Sequence, residues 1–237
     1  MLEYKCFIEN ITNPYHNLAM EKLLFDYVKN NIAIVYLWQN ENTIVIGRNQ
    51  DVNVECRANE FIKYGGLIAR RHSGGGAVWH DLGNLNYSII SSHKDVEKCR
   101  YIDILKKVLN MIGIRIEYNG RNDLLYDGRK ISGNAFYRSD TVVCQHGTIL
   151  VNANIDKMTY FLTPDEGKLR KNYVRSVSER VVNLSQIVEN ITVDEVCQAF
   201  MNSLNVSEYI SCFDLDKLNE LIKKYNCKEW IYGRKFE

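Results

Sequence analysis

The chain has 237 residues, 46% of them hydrophobic and 25% charged, and a formal net charge of +1 at pH 7. This size and composition are typical of a globular protein that buries a substantial core, in one large domain or two small ones. The net charge is too small to favour binding to nucleic acid. The sequence has no polybasic run and no apolar run long enough to span a bilayer, so it does not predict membrane binding. The seven cysteines are scattered and lack the spacing of metal ligands, so we expect reduced thiols, no zinc site and a cytoplasmic location.

Hydrophobic periodicity predicts the first elements of the chain. Apolar residues recur at helical spacing over 18–28, after a segment at 14–17 that starts the helix. Two apolar runs, 33–38 and 43–46, have the character of strands. Because only a short polar turn joins these two runs, we predict that they pair as a β-hairpin.

The rest of the chain alternates strands and helices. An amphipathic run over 102–112 ends at Gly113, as expected of a helix. The other predicted elements are a short helix within 55–64, strands at 67–69, 86–90, 114–118, 124–126 and 142–151, and helices at 193–205 and 215–225. Mixed strands flanked by helices predict an α+β fold around a mainly antiparallel or mixed sheet, and we treat residues 1–237 as one domain.

The most informative segment is residues 70–84, which read RRHSGGGAVWHDLGN. Glycines lack a Cβ, so their backbone N–H groups can approach an anion closely, while Arg70 and Arg71 supply planar, permanently charged donors. We therefore predict a cradle for an anion, most simply a nucleotide phosphate. The alternative interpretation is a flexible glycine loop beside a solvated basic edge.

A second segment places a lysine between two turns. Residues 119–135 contain Asn122 and Asp123, then a short strand, a second turn, and Lys130 at the start of another strand. A lysine ammonium held in this way can bridge two anionic groups, such as a carboxylate and a phosphate, and stabilise negative charge that develops between them. Asn122 and Asp123 suit a phosphate contact and a magnesium ion, because hard cations take oxygen ligands. The alternative is an exposed hairpin tip with ordinary surface charges.

Both segments resemble signatures of the lipoate–protein ligase A family, and the first matches almost continuously. In that family an Arg-Arg pair precedes Ser-Gly-Gly-Gly-Ala-Val, and Gly-Arg-Asn-Asp-Leu precedes a Lys-Ile/Val-Ser-Gly motif. Residues 145–150 resemble the family's His-Gly-Thr strand, and Lys171 with residues 176–184 resembles a later segment. The resemblance runs from about Cys6 to the C-terminus. It implies the biotin/lipoate ligase fold, which is related to class II aminoacyl-tRNA synthetase catalytic domains.

The resemblance also implies a site in which Lys130 is the catalytic residue and contacts both the nucleotide and the lipoate carboxylate. Asp123 is the predicted magnesium ligand. The predicted residues that bind ATP and lipoate are Arg70, Arg71, Ser73, Gly74, Gly75, Gly76, Ala77, Val78, Trp79, His80, Asn84, Asn122, Asp123, Lys130, His146, Gly147 and Thr148. Two of these leave alternatives open. His80 either contacts ligand or braces Asp81, and His146 is either a ligand contact or a core histidine.

The sequence is less specific about which residues line the acyl-binding part of the site and about whether a cysteine acts as a nucleophile. Residues 44–46 and Leu67 can line a slot for an aliphatic chain, but they serve equally well as ordinary core. Cys144 lies two residues before His146, so on a strand the two side chains share a face, where a histidine can activate a thiolate. A buried, inert cysteine is the more common arrangement.

The implied activity is that of a lipoate–protein ligase that uses ATP, lipoate and magnesium. Lipoate and ATP give enzyme-bound lipoyl-AMP and pyrophosphate, and a lysine of an acceptor then attacks the mixed anhydride. The implied acceptors are the lipoyl domains of 2-oxoacid dehydrogenase complexes or the glycine cleavage H protein. Two alternatives stay open: an octanoyl- or lipoyltransferase that uses a cysteine thioester without ATP, and a non-catalytic protein that binds lipoyl-adenylate or the acceptor.

The C-terminal end departs from the family pattern. Residues 229–233 match the point at which the family's large domain continues into a small accessory domain, whereas this sequence ends at Glu237. That accessory domain is associated with adenylation. We therefore expect one of three arrangements: a separate small accessory protein completes the enzyme, the chain adenylates by itself, or it works mainly as a transferase from preformed lipoyl-AMP.

Overall fold

The computed structural model describes residues 2–118, 123–163, 180–206, 208–210 and 213–233. The predictions for Asn122, Lys171 and residues 176–179 therefore lie outside the described part. The strands are β1 (Glu3–Ile8), β2 (Ile32–Trp38), β3 (Thr43–Ile46), β4 (Leu67–Arg70), β5 (Val78–His80), β6 (Asn84–Ser92), β7 (Glu117–Tyr118), β8 (Asp123–Tyr126), β9 (Arg129–Arg138), β10 (Val142–Leu150) and β11 (Glu208–Tyr209). The helices are α1 (Pro14–Tyr27), α2 (Val52–Glu55), α3 (Ala58–Lys63), α4 (Tyr101–Met111), α5 (Ile155–Phe161), α6 (Val193–Leu204), α7 (Leu215–Tyr225) and α8 (Lys228–Tyr232).

Local sequence signals start the longer helices. α1 begins after Asn13, whose side chain accepts hydrogen bonds from the backbone N–H groups of Tyr15 and His16. α6 begins with a capping box between Thr192 and Glu195. The four long helices predicted from the sequence are confirmed as α1, α4, α6 and α7, with boundaries that differ by a few residues.

The described strands form two sheets. The larger has eight strands in the order β11-β1-β2-β6-β10-β9-β8-β7, parallel between β11, β1 and β2 and antiparallel beyond β2. The smaller has β3 at its centre, parallel to β4 and antiparallel to β5. Mixed sheets with helices packed on them confirm the predicted α+β fold.

The predicted hairpin between β2 and β3 is wrong. β2 pairs with β1 and β6 in the large sheet, whereas β3 pairs with β4 and β5 in the small sheet. Long-range contacts hold the turn between them, because buried Asn40 contacts Asn17 on α1 and His80 on β5. Successive strands usually pair but need not do so, and a short polar turn cannot reveal that its two strands belong to different layers.

Other elements differ from the prediction in extent. The short helix expected within 55–64 is α3, which begins only at Ala58 because Cys56 is extended, and the separate helix α2 ends at Glu55. The strand expected at 114–118 is reduced to the two residues of β7, and β6 is longer than the predicted 86–90. The strands β1 and β11 and the helix α5 were not predicted from the sequence.

The large sheet separates two buried cores. On one face Tyr36 and Ile90 belong to the core shared with α1, α7 and the small sheet. On the other face Val35 and Ile89 pack with α4 and α6. β2 is therefore apolar on both sides, which is why residues 33–38 read as a continuous apolar run. Within the described ranges, no helix has the length and apolar character needed to cross a bilayer.

Candidate active site

A cleft runs across the strands of the large sheet. Trp38, Asn86, Thr148, Gly133 and Asp123 are neighbours in register on β2, β6, β10, β9 and β8, and all five line a cavity of about 300 Å³. Adjacent strands lie about 4.8 Å apart, so this row spans about 19 Å. The cavity, which we call the slot, is therefore elongated perpendicular to the strands.

The small sheet and the loop of residues 71–77, which we call the glycine loop, form the opposite wall of the slot. Val45, Val78 and His80 line it from the small sheet, residues 75–77 from the loop, and Leu18 from α1. A second cavity of about 390 Å³, which we call the side cavity, adjoins the slot. The residues common to both are Ala77, Val78, Asp123, Lys130, Gly133 and Thr148. The slot and the side cavity therefore form one continuous cleft.

Lys130 stands at the junction of the slot and the side cavity. An extra residue in β9, Ile131, shifts the register between β8 and β9, and Lys130 lies over the same face as Gly133. A Cβ on Gly133 would lie 2.8 Å from the Lys130 Nζ. The Lys130 Nζ also forms an ion pair of 2.7 Å with Asp123 Oδ1. The ammonium group is thus aimed into the cleft, while the tip of the hairpin is residues 127–128.

Arg71 fixes the shape of the glycine loop. Its terminal guanidinium nitrogens donate hydrogen bonds to the carbonyl oxygens of Val45, Gly74 and Gly76. Its Nε donates to Ser73 Oγ at 2.9 Å. Burial lowers the pKa of Arg71 to about 10, which leaves the side chain charged at neutral pH. Arg71 lines the slot, and most of its donors hold the loop in place.

The loop depends on glycine at two positions and already contacts an anionic group. Gly75 has a φ of +91°, a left-handed conformation that favours glycine. A Cβ on Gly47 would lie 1.9 Å from the carbonyl oxygen of Gly75. The backbone N–H of Ala77 donates to the buried carboxylate of Glu55 at 3.1 Å. The loop therefore presents an N–H group to one carboxylate, as a cradle for anions would.

Arg70 does not line the cleft, although the motif predicts that it binds ligand. Its side chain is 1% exposed and lies between the small sheet and α8. Its guanidinium donates to the main-chain oxygens of Gly47, Arg48, Gln50, Trp230 and Ile231. The predicted ligand contact is therefore corrected to a structural cross-link, because these buried carbonyl groups take up the guanidinium donors.

His146 joins α1 to the glycine loop. Its Nδ1 lies 2.7 Å from Glu21 Oε1, and its Nε2 lies 2.6 Å from Ser73 Oγ. Because an ionised carboxylate only accepts hydrogen bonds, Nδ1 is the donor. Burial raises the pKa of Glu21, but the attraction of His146 and hydrogen bonds from His146 and Ser88 outweigh it, so the pKa lies below its ordinary value. His146 also lines the slot, and it is therefore both a core histidine and a wall of the site.

Cys144 shares a face of β10 with His146, as strand alternation predicts. Its Sγ and the nearest ligand atoms of Glu21 and His146 all lie within 4.8 Å of one another. The cysteine is fully buried, and it is not among the described residues that line the slot. Burial, and then the charge of Glu21, raises the pKa of the thiol well above its ordinary value. These surroundings disfavour a thiolate nucleophile.

His80 faces the slot and does not brace Asp81. Its Nδ1 lies 3.1 Å from Nδ2 of Asn40, and the ring is 3% exposed. Burial, and then the positive field of Arg71, lowers the pKa of His80 to about 3, so the imidazole is neutral at physiological pH. Asp81 instead accepts hydrogen bonds from Trp79 and from the backbone of the turn that follows it. Of the two alternatives for His80, the geometry favours the ligand contact.

Most of the predicted site residues come together in the cleft. Those that line the slot or the side cavity are Arg71, Gly75, Gly76, Ala77, Val78, Trp79, His80, Asp123, Lys130, His146, Gly147 and Thr148. Ser73, Gly74 and Asn84 do not line it, but they contact residues that do. Of the apolar candidates, Val45 lines the slot, whereas Ile44 and Ile46 belong to the core behind it.

Sequence reasoning missed several walls of the cleft. Trp38 and Asn86 read as parts of ordinary strands, and only the register of the sheet brings them into one row with Asp123. Glu55 reads as a helix residue, yet it contacts the glycine loop. Glu21 gave no clear signal in the sequence, since Lys22 and Asp26 on the same helix are also charged, and only the structure shows that it is 2% exposed.

Comparison with known proteins identifies the family. Residues 13–205 match the family described as the lipoyl protein ligase A/B catalytic domain. Lipoate-protein ligase A of Blochmanniella floridana is 37% identical over 247 residues, which cover 98% of this chain and 73% of that protein. Lipoate-protein ligase A of Psychrobacter cryohalolentis is 36% identical, with 93% of this chain and 67% of that protein covered.

Solved structures share the fold. A Thermoplasma acidophilum structure, described as a bi-partite lipoate protein ligase and its E2 lipoyl domain, has a TM-score of 0.84 at 27% identity and covers 100% of this chain and 99% of that one. A P. falciparum protein in complex with lipoate has a TM-score of 0.79 at 28% identity, with 99% and 75% covered. The chain belongs to the lipoyl protein ligase A/B catalytic-domain family, a family of enzymes, as its motifs predicted.

Proposed function

We propose that this chain, as one catalytic domain, catalyses the ATP-dependent ligation of lipoate to a lysine of an acceptor protein. The observation that carries the proposal is the position of Lys130, whose ammonium group stands where the slot and the side cavity meet. In this proposal the slot takes the acyl chain and the side cavity takes the nucleotide. Their reacting groups then meet at Lys130.

The slot suits an aliphatic carboxylic acid. Leu18, Trp38 and Val45 give it apolar walls, and Lys130 supplies a positive charge at one end. Burying the apolar chain favours binding, and the ammonium group fixes the direction in which the acid enters. The known protein of P. falciparum that resembles this chain is described in complex with lipoate, which supports the choice of acid.

Adenylation follows from this placement. A carboxylate oxygen of lipoate attacks the α-phosphorus of ATP, the bond from that phosphorus to the pyrophosphate oxygen breaks, and pyrophosphate leaves with the electron pair. Lys130 holds the carboxylate in place and neutralises the negative charge that builds up on the α-phosphate oxygens. Arg71 holds the glycine loop in the shape that lets its backbone N–H groups face the phosphates. A relative of this chain is described as bound with ATP, although at 23% identity that likeness concerns the fold.

Transfer uses the same cleft. The neutral amine of an acceptor lysine attacks the acyl carbon of lipoyl-AMP, the bond from that carbon to the phosphate oxygen breaks, and AMP leaves. The new amide forms when the attacking nitrogen loses a proton. Walls that exclude water from the acyl carbon protect the mixed anhydride until the acceptor arrives.

Magnesium, when bound with ATP, neutralises charge on the phosphates. Asp123 is its proposed ligand among the described residues, because a carboxylate oxygen in the cleft suits a hard cation. Asp123 Oδ1 also lies 2.7 Å from the Lys130 Nζ. Cation binding at this carboxylate and the ion pair with Lys130 are therefore coupled.

The proposed partners are acceptor domains and an accessory protein. We take the acceptors to be lipoyl domains of 2-oxoacid dehydrogenase complexes or the glycine cleavage H protein, and the T. acidophilum relative is described together with an E2 lipoyl domain. That relative is also described as bi-partite. A separate small protein that assists adenylation is therefore part of the proposal.

Release of pyrophosphate tests the proposed activity. The purified chain is incubated with lipoate, ATP and magnesium, with and without an acceptor lipoyl domain, and pyrophosphate and the mass of the acceptor are measured. We expect pyrophosphate that depends on lipoate, and an acceptor that gains the mass of one lipoyl group. Lipoylation of the acceptor from an acyl thioester without ATP would favour a transferase. The absence of both reactions would favour a binding protein.

A further inference from the structure

Two buried polar side chains line the slot near its apolar residues Leu18, Trp38 and Val45. Asn86 is 1% exposed and His80 is 3% exposed, and both line the slot. Nδ2 of Asn86 and Nε2 of His80 have no hydrogen-bond partner among the described residues. A buried polar atom without a partner is costly, so a group that satisfies these atoms would gain affinity.

The protonated nitrogen of His80 is fixed by a chain of hydrogen bonds. Asn17 Nδ2 lies 2.8–2.9 Å from three acceptors that share its two hydrogens, the main-chain oxygens of Ile11 and Gln39 and Oδ1 of Asn40. Asn40 must then donate through its Nδ2 to Nδ1 of His80. Because the ring is neutral, its single proton is on Nε2. His80 therefore offers an N–H donor to the slot.

Asn86 offers a second donor. With the two amides oriented as in this structure, its Oδ1 accepts a hydrogen bond from Nδ2 of Asn84 at 3.0 Å, and its own Nδ2 is left for the slot. His80 and Asn86 approach the slot from opposite walls, because His80 belongs to the small sheet and Asn86 to the large sheet. A ligand group between them can therefore meet both.

The distance from Lys130 indicates which part of a ligand these donors meet. The Lys130 Nζ lies over Gly133, and Asn86 is two strands away from Gly133 through Thr148. Two strand spacings amount to about 10 Å. An extended eight-carbon acid whose carboxylate sits at Lys130 therefore places its distal carbons beside Asn86.

We propose that Asn86 and His80 recognise a sulfur acceptor at the distal end of the acyl chain, so that the slot selects the dithiolane ring of lipoate over a plain alkyl tail. The inference rests on the proposed function, because the carboxylate at Lys130 sets the distance. A dithiolane sulfur is a weak acceptor, but an alkyl tail offers none and leaves both buried donors unsatisfied. Rejection of a ligand that leaves buried polar groups unpaired is a strong source of selectivity.

Three acids of matched length separate acceptor chemistry from shape. They are lipoate, octanoate, and 5-cyclopentylpentanoate, in which methylene groups replace both sulfurs of the ring. Binding of each acid to the purified wild-type chain is measured by titration calorimetry. We expect lipoate to bind about tenfold more tightly than the cyclopentyl acid, the order expected from unsatisfied donors. Equal affinity for these two acids would overturn the inference without any variant.

Variants assign the selectivity to residues. Asn86→Leu should weaken lipoate binding by about threefold, its share of the tenfold preference, and leave the cyclopentyl acid unchanged or tighter, since it removes one of the two donors and keeps the volume. Val45→Ala is the matched control, because it removes an apolar contact in the same slot and should weaken all three acids together. A parallel loss of all three acids in Asn86→Leu would contradict the assignment to Asn86.

The experiment distinguishes failure of the proposed function from failure of the proposed role of Asn86 and His80. Lys130→Ala should weaken all three acids by a similar factor, because every acid has the same carboxylate. If none of the acids binds, or if Lys130→Ala changes nothing, the proposed function is wrong. If the acids bind and depend on Lys130 but the two ring acids are not distinguished, only the inference about Asn86 and His80 is wrong.

Discussion

The guanidinium of Arg70 donates a hydrogen bond to the main-chain oxygen of Ile231 at 2.6 Å. The indole N–H of Trp230 returns one to the main-chain oxygen of Arg70 at 2.8 Å. The first arginine of the glycine motif thus ties α8 to the small sheet, while the adjacent Arg71 shapes the loop beside the slot. Two neighbouring arginines therefore act on opposite sides of one strand end.

We expect Arg70→Met to destabilise the fold. The change leaves buried carbonyl groups of residues 47–50 and of α8 without their donor. Each buried acceptor left without its donor costs about 1–3 kcal/mol of unfolding free energy. Urea denaturation measures the loss, and Arg100→Met at an exposed site is the control, which should stay within about 0.5 kcal/mol of wild type. Wild-type stability in Arg70→Met would show that the cross-link is unimportant.

Lys130→Ala should abolish adenylate formation without unfolding the protein. Losing one charge-assisted contact to developing negative charge typically costs about two to three orders of magnitude in rate. The half-exposed lysine contributes little packing, so the unfolding transition should stay near that of wild type. Arg129→Ala, at the adjacent position but outside the lining of either cavity, should keep its activity. Pyrophosphate release unchanged in folded Lys130→Ala would refute the role of Lys130.

Cys144→Ser should keep most of the ligase activity. The acyl group travels as an adenylate in our proposal, and burial holds the pKa of the Cys144 thiol far above neutrality. Intact-mass and peptide mass spectrometry after incubation with lipoate and ATP should find no acyl adduct on any of the seven cysteines. An adduct on Cys144, together with loss of activity in the variant, would instead support a thioester transferase.

Stability should fall as the pH is lowered from about 6.5 toward 3. Burial holds the pKa of His80 at about 3 and that of His72 at about 4 in the folded state, against an ordinary value of 6.5. Between these values the unfolded chain binds protons that the folded chain does not, so acid favours unfolding. Each histidine contributes up to about 1.4 kcal/mol per pH unit in its window.

The slope of stability against pH tests this assignment. Urea unfolding of wild type, His80→Leu and His93→Gln is measured between pH 4 and pH 7, which covers most of the window of about 3–6.5 set by His80. We expect His80→Leu to flatten the slope whatever its effect on stability at pH 7. His93 is exposed and its replacement should leave the slope unchanged. Parallel slopes in wild type and His80→Leu would mean that His80 is not buried in the neutral form.

The two half-reactions should differ when the chain is isolated. Transfer from chemically prepared lipoyl-AMP needs the slot, Lys130 and a docked acceptor lysine, which this chain can supply. Adenylation also needs ATP and lipoate aligned with water excluded, and a closing element provided by another protein would raise that rate through positioning. We therefore expect robust transfer from lipoyl-AMP and weak adenylation until a small partner is added.

Acceptor lipoylation with two donors measures this difference. One reaction contains lipoate, ATP and magnesium, and the other contains lipoyl-AMP, with the same chain and acceptor in both. Lys130→Ala serves as a control, since it should reduce lipoylation from both donors, both of which use Lys130. Equal rates from both donors without a partner would show that the chain is a complete ligase.

Signals that act locally were readable in the sequence. The caps of α1 and α6, the periodicity of the four long helices and the strand–turn–strand that carries Lys130 depend on neighbours a few residues away. The glycine motif was readable for the same reason, since Gly75 needs a positive φ that a side chain would oppose. These signals, together with the motif resemblance, were enough for the family and the fold class.

Tertiary structure decided everything that depends on distant partners. The turn after β2 leads into another sheet because Asn40 is held by α1 and β5. The sequence alone does not distinguish Arg70 from Arg71. Successive side chains of a strand point to opposite faces, so Arg70 donates to the carbonyl oxygen of Ile231 and Arg71 to that of Gly76. Asn86 belongs to the site because the register of four strand pairs aligns it with Asp123. That register depends on residues far apart in the chain, so the sequence alone did not reveal it.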